Sequence, residues 1–240
     1  VPFWKGSSAE MSEQDAYIAL MCSLPGSERL FVAKQPPLSR IRLDRRLTAL
    51  TADDAKVLNV LEHTLSWSAY DMDVTDVQAI QRCKQALMDI PQPTLRKLFV
   101  ERMELRSVVA ALRLRKRGEP APSGSFGVGR WSRHIPAYWT DPTFGLDTPM
   151  PWLKEAHQLL EDEDPLGLER LLLSISHKQL KRHAARHMFD FEAVAIYVLI
   201  WNIFDRWAQS SATEAAKRFE KLAQQAMADV ADIDFEGASA

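Results

Sequence analysis

The sequence predicts an all-α fold, several helices assembled as bundles, and three observations carry that expectation. Glycine is scarce, 9 in 240 residues. The long apolar segments follow helical spacing rather than strand alternation. Several of them are bracketed by helix start and stop signals. Apolar residues are 46% of the chain and charged residues 26%, an ordinary globular composition. Lys plus Arg (30) nearly balances Asp plus Glu (32). That argues against a globally basic nucleic-acid binder, although a local patch stays open. Two cysteines, Cys22 and Cys83, cannot make a disulfide framework and point to a reducing compartment.

The elements follow in order. Residues 1–12 read as a tag or a disordered leader, with Met11-Ser12-Glu13 resembling a start. Residues 16–24 (AYIALMCSL) fit either a short strand or a first helix turn, ended by Pro25-Gly26. Pro36 and Pro37 open a basic loop holding Arg40, Arg42, Arg45 and Arg46. Thr51 is a good N-cap, followed by Asp53 and Asp54 where carboxylates suit the helix dipole, so a helix runs to about Trp67. Another spans Asp73 to Met88. Thr94 caps a long helix that stops at Gly118, with Arg115, Lys116 and Arg117 at its negative end. Residues 119–151 gather most of the proline and glycine and read as a loop between an N-terminal bundle (13–118) and a C-terminal bundle (152–240). Helical segments are expected at 152–161, 166–175, 177–188, 191–209 and 213–229, then a frayed acidic end, DIDFEGASA. The longest strictly apolar run, Ala193 to Trp201, is too short for a spanning helix, which needs about 20 residues. A cytoplasmic location follows as the expectation.

The two halves differ in charge. Residues 1–118 hold 18 basic and 14 acidic groups; residues 119–240 hold 12 and 18. A molecule polarised in this way can dock between two different partners.

Catalytic signatures are weak throughout. GSFGVGR (124–130) has three close glycines but lacks the Lys and Ser/Thr of a phosphate loop, and it reads as a flexible linker. His183 and His187 share a helix face at zinc-binding spacing, with His177 nearby. Ala184 stands where a zincin motif wants Glu, and Lys178, Lys181, Arg182 and Arg186 surround the pair, so a basic helix face is the better reading. Cys22 and Cys83 read as small buried apolar residues. The EDED run (161–164) reads as solvated or capping. Neither a catalytic residue, a cofactor nor a metal is expected.

On the long helix, Arg102, Arg106, Arg113 and Arg117 fall within about 60° of one another. Helix 191–209 is apolar nearly all round and should be central. Asp205 within it needs a donor if buried, and Arg102 or Arg106 is the expected mate in a cross-helix ion pair.

Four segments resemble a known family. ERMELRSVVAALRLRKRG (101–118) and MFDFEAVAIYVLIWNIFDRW (188–207) are similar to two helices of the C/d-type subunits of V/A-type ATPases. AYIALMCSLP (16–25) and WSRHIPAYWTDPTFGLDTPMPWL (131–153) resemble a shorter bacterial group associated with V-type ATPases. Ser107 stands where that family usually has Asn, and Ile196-Tyr197 where Ala-Tyr is common. The resemblance implies a non-catalytic component that couples the central stalk of a rotary ATPase to its membrane ring, as part of the rotor in ion transport, hydrogen ion transport included. An assembly factor, or a helical nucleic-acid or regulatory binder, is the alternative. The implied partners are the stalk and ring proteins, without nucleic acid and with only peripheral membrane contact at the inner face. The implied contact surfaces are Arg40, Arg42, Arg45 and Arg46, and Arg113, Arg115, Lys116 and Arg117.

Overall fold

The computed structural model describes residues 13–26, 29–66, 76–211 and 213. The expectations for residues 1–12, for Trp67 as a helix end, for a helix start at 73–75, and for the helix and acidic end beyond 213 lie outside the described residues. Nine helices run through the described residues: α1 Glu13–Ser23, α2 Arg40–Leu47, α3 Ala52–Leu65, α4 Asp76–Met88, α5 Pro93–Lys116, α6 His134–Ala137, α7 Leu153–Glu161, α8 Pro165–Ala184 and α9, residues 191–211. No strand occurs among the described residues, and 16–23 lies in helix α1. The protein is an all-α multi-helix bundle. No helix among the described residues is long and apolar enough to cross a membrane.

Local signals explain the helix starts. Thr51 accepts from the Asp54 amide at 3.2 Å and so caps α3. Asp164 accepts from the Gly167 amide at 2.8 Å and caps α8, with Pro165 in the first turn. Asp190 does the same for α9 through the Ala193 amide, 2.8 Å. The long helix starts one residue before the expected cap. Pro93 takes the first helical position, where its missing N–H costs nothing, and Thr94 is already inside. The two helices expected at 166–175 and 177–188 are one continuous α8, since nothing in Ser174-Ile175-Ser176-His177 breaks it.

The expected basic loop is in fact a helix. Ser39 holds extended backbone angles at the N-cap position, and Arg40–Leu47 coils after it. Leu43 is fully buried and anchors it. Arg40 Nε donates to Asp44 at 2.8 Å, an i,i+4 pair along the helix.

Two apolar cores hold the bundle. The first joins α1–α4, the first half of α5, Leu173 and Leu180 of α8, and most of α9. The second joins the other half of α5, α7, the start of α8 and the 119–151 segment. α5 therefore spans both cores along its length: Leu95, Leu98, Phe99 and Met103 serve the first, and Leu105, Val108, Val109 and Leu112 the second. α9 is buried on nearly every side, as its composition predicts. Each such aliphatic side chain contributes about 1.5–3 kcal/mol by leaving water.

Residues 119–151 are not a loose connector. Ile135, Phe144, Leu146, Trp139 and Met150 are buried in the second core. Gly127 and Gly129 have positive φ, and a Cβ at either would overlap Ser107 or Glu104 of α5. Their absence of side chain lets the loop backbone reach α5. Ser107 Oγ accepts from the Val128 amide at 2.9 Å and donates to the Met103 carbonyl at 2.8 Å. The buried Glu104 accepts from the Arg130 amide at 2.9 Å. The glycine loop is a close-packing device rather than a flexible linker.

Candidate functional site

α2 exposes a basic face. Arg40 sits at its start and forms a two-pronged bond to Glu62 of α3, 2.6 and 2.9 Å. Glu62 also accepts from Asn202 Nδ2 of α9 at 2.9 Å, so one carboxylate ties three helices. This pairing raises the Arg40 pKa above its already high value. Behind Arg40, Trp201 of α9 lies 5.7 Å from the guanidinium and donates its Nε1–H to the Leu38 carbonyl at 2.8 Å. The chain entering α2 is thereby fastened to the central helix.

Arg42 and Arg45 are exposed, and neither meets a carboxylate among the described residues. Arg46 is half-buried and bonds the Arg42 carbonyl at 3.1 Å. Ile41, on the same helix, is 70% exposed. α2 thus offers two solvated guanidinium groups and a bulky apolar side chain, pinned by Leu43 beneath and Arg40 at one end.

A cleft of about 530 Å³ opens beside Arg40. Asn59, Glu62 and His63 of α3 face Asn202, Asp205 and Gln209 of α9 across it, and Arg102 of α5 also lines it. Asp205 accepts from Gln209 Nε2 at 2.6 Å. Burial raises the Asp205 pKa, and the Arg40 charge partly offsets that rise. Three residues conspicuous in the sequence for two separate roles, Arg40, Arg102 and Asp205, therefore meet at one place. Glu62 and Asn59 join them without having stood apart in the sequence. Asn202 and Asp205, three apart in an otherwise apolar helix, are the available signal for a polar seam.

The expected cross-helix ion pair is not the arrangement found. Arg102 is buried and donates to Ser176 of α8. Burial, then the neighbouring Arg106, push its pKa down to about 9, so it remains charged at neutral pH. Arg106 donates to the carbonyls of Thr64, Leu65 and Ser66 at 2.9, 2.7 and 2.6 Å. The end of α3 leaves carbonyls without helical partners, and Arg106 supplies donors to them. Asp205 is satisfied within its own helix.

The second expected contact surface is divided. Arg115 donates to the carbonyls of Asp141 and Pro142, the latter at 2.6 Å, and packs 5.0 Å from the Phe144 ring. Lys116 donates to the Leu160 carbonyl at the end of α7. These two hold the fold together. Arg113 and Arg117 are exposed.

The remaining motifs have local explanations. His183 is buried, with Nε2 3.2 Å from Glu101. His187 turns elsewhere, with Nδ1 2.7 Å from Asp190 and Nε2 3.1 Å from Thr94 Oγ1. The pair thus does not converge on one point. His187, Asp190 and Glu192 lie close enough to share an ion, but both ring nitrogens of His187 have partners and Asp190 caps α9. Cys83 is buried 3.3 Å from the Met103 sulfur, whereas Cys22 is exposed, contrary to expectation. In EDED, Asp164 caps α8, Asp162 accepts from Gln158 at 2.8 Å, and Glu161 lies 3.7 Å from His157.

No family model, no curated protein and no solved structure matches this chain. The expectation of a V-type ATPase C/d-type component, with ion transport and a rotor role, is corrected on that finding: no match supports it, and the helix-pattern resemblance alone does not carry it.

Proposed function

We propose that the protein is a non-catalytic helical docking protein that binds an acidic, partly apolar segment of a protein partner across α2. One observation carries the reading: Arg42 and Arg45 stand solvated beside the exposed Ile41 on a helix clamped from below and behind. Held charges that meet no carboxylate are suited to steering and registering an opposite surface. An exposed aliphatic side chain among them supplies the desolvated contact that charges alone lack. α2 (RIRLDRRL) carries no aromatic ring on which a base could stack, which favours protein over single-stranded nucleic acid.

Fluorescence anisotropy with a labelled peptide rich in Glu and Leu tests the reading. The full chain should bind it, and Arg42→Glu with Arg45→Glu should weaken binding roughly tenfold, by loss and reversal of two rim charges. Equal binding by the reversed variant overturns the proposal. Tighter, steeply salt-dependent binding of a single-stranded oligonucleotide replaces it with a nucleic-acid reading.

A further inference from the structure

We propose that the cleft between α3 and α9 binds an aliphatic ammonium, with Asp205 as its counter-charge. The site is separate from the α2 docking surface, since none of Ile41, Arg42 and Arg45 lines this cleft. Its volume, about 530 Å³, suits a small molecule or a single side chain. Glu62 and Asp205 are its carboxylates. Glu62 is taken up by Arg40 and by Asn202 Nδ2. Asp205 meets no Lys or Arg within ion-pair distance among the described residues; its donor is Gln209 Nε2, 2.6 Å from Oδ2. The cations of the lining are engaged elsewhere: Arg40 by Glu62 and Asp44, Arg206 by Glu169 at 2.6 Å, and Arg102 by Ser176. Asp205 is therefore the carboxylate of the cleft with an oxygen open to a ligand.

The neighbouring amides add acceptors. Asn202 gives Nδ2 to Glu62 and Gln209 gives Nε2 to Asp205, which leaves both amide oxygens free to accept. Asn59 of α3 lines the opposite wall. An ammonium offers N–H donors and no acceptor, so it matches this set. Leu65, Leu199 and Ile203 also line the cleft and suit the aliphatic stem behind such a head. Burial raises the Asp205 pKa, so keeping the group ionised there costs free energy. A cation that enters beside it offsets that cost. The side-chain bond of Asp205 stays within α9, so its charge ties no two helices together among the described residues. A charged group in a cleft without a structural partner is where binding is expected.

NMR titration of the full chain with pentylammonium tests the proposal. The probe should give saturable shifts at the side-chain amides of Asn202 and Gln209. Asp205→Asn keeps the size and an acceptor oxygen for Gln209 but removes the charge, and it should weaken binding about tenfold. Asp53→Asn, at an exposed α3 carboxylate outside the cleft, should leave binding unchanged. Acetyl-lysine methylamide with a free ε-ammonium presents the same head from a peptide backbone. Both sources support the site: tighter binding of this blocked lysine assigns the ligand to a partner's lysine side chain, and equal or weaker binding assigns it to a free amine. The proposal is overturned if Asp205→Asn binds pentylammonium as well as the unaltered chain, or if the shifts fail to saturate. It is also overturned if pentanoate, an anion of the same length, binds the unaltered chain as tightly. That last comparison needs no substitution, so it decides even if the variant fails to fold.

Discussion

Arg42 and Arg45 of α2 and Arg106, Arg115 and Lys116 of α5 have opposite fates. On α5, Arg106, Arg115 and Lys116 reach the carbonyl ends of α3, the 119–151 segment and α7, and Arg96 does the same for Leu87 and Ile90 near the end of α4. On α2, Arg42 and Arg45 reach no carboxylate among the described residues. The groups are cationic in both cases and the helices are both basic. What differs is position: α5 lies between the ends of other helices, where backbone carbonyls lack donors, whereas α2 lies with one face to water. A run of arginines therefore reads as a binding surface only after the helix ends it could cap have been excluded.

Substitutions can break this comparison, the largest expected effect being at α5. Arg106→Ala should cost about 3 kcal/mol in urea unfolding, because it strips the donors from three carbonyls at the end of α3. A loss below about 1 kcal/mol would put Arg106 in the same class as the α2 arginines. Gly129→Ala should cost about 2 kcal/mol or more, since its φ of 105° and the approach of Glu104 leave no room for a methyl group. Arg40→Ala should cost about 1 kcal/mol, an intermediate value, because the Glu62 pair it breaks is partly solvated. Arg42→Ala and Arg45→Ala should each stay within about 0.5 kcal/mol.

The smallest effect concerns pH and sharpens the contrast within the acidic residues. Burial raises the folded pKa of Asp205 above the unfolded value near 3.9. Its contribution is present below that unfolded value and is lost as pH rises through the folded one, so the ionised group disfavours folding at neutral pH. Asp205→Asn should raise stability at pH 7 relative to pH 3. Asp141 has the reverse sign. The amides of Gly145 and Thr143, then the Thr143 hydroxyl, hold its pKa down. Its contribution is present above about 3.9 and is lost as pH falls through the lowered folded value. Asp141→Asn should therefore reduce stability at pH 7 more than at pH 2. Urea titrations across pH on the two variants check both signs.

Much of the fold is legible in the sequence because it is written locally. Thr51 with Asp53 and Asp54, the cations ahead of Gly118, and the apolar wrap of 191–209 each specify an element from adjacent residues. α2 is not legible in this way, because Pro36, Pro37 and four arginines look like a loop when Leu43, its single buried anchor, is not weighed. The 119–151 segment misleads for a related reason: its glycines serve close approach to Glu104 and Ser107, which are distant in sequence. The cleft is half-legible. Asp205 and Arg40 stand out, but Glu62, the carboxylate that joins α2, α3 and α9, is one charged residue among many on an amphipathic helix. Only tertiary packing distinguishes it. Helix-pattern resemblance to a known family is the least reliable guide, since amphipathic spacing recurs wherever helices pack.

The most direct test of the central claim is the salt-dependent affinity of the full chain for a labelled Glu- and Leu-rich peptide, compared with its Arg42→Glu, Arg45→Glu variant. The account predicts binding that weakens with salt and drops roughly tenfold in the variant. Identical affinity in the two proteins, at low and high salt, would contradict it.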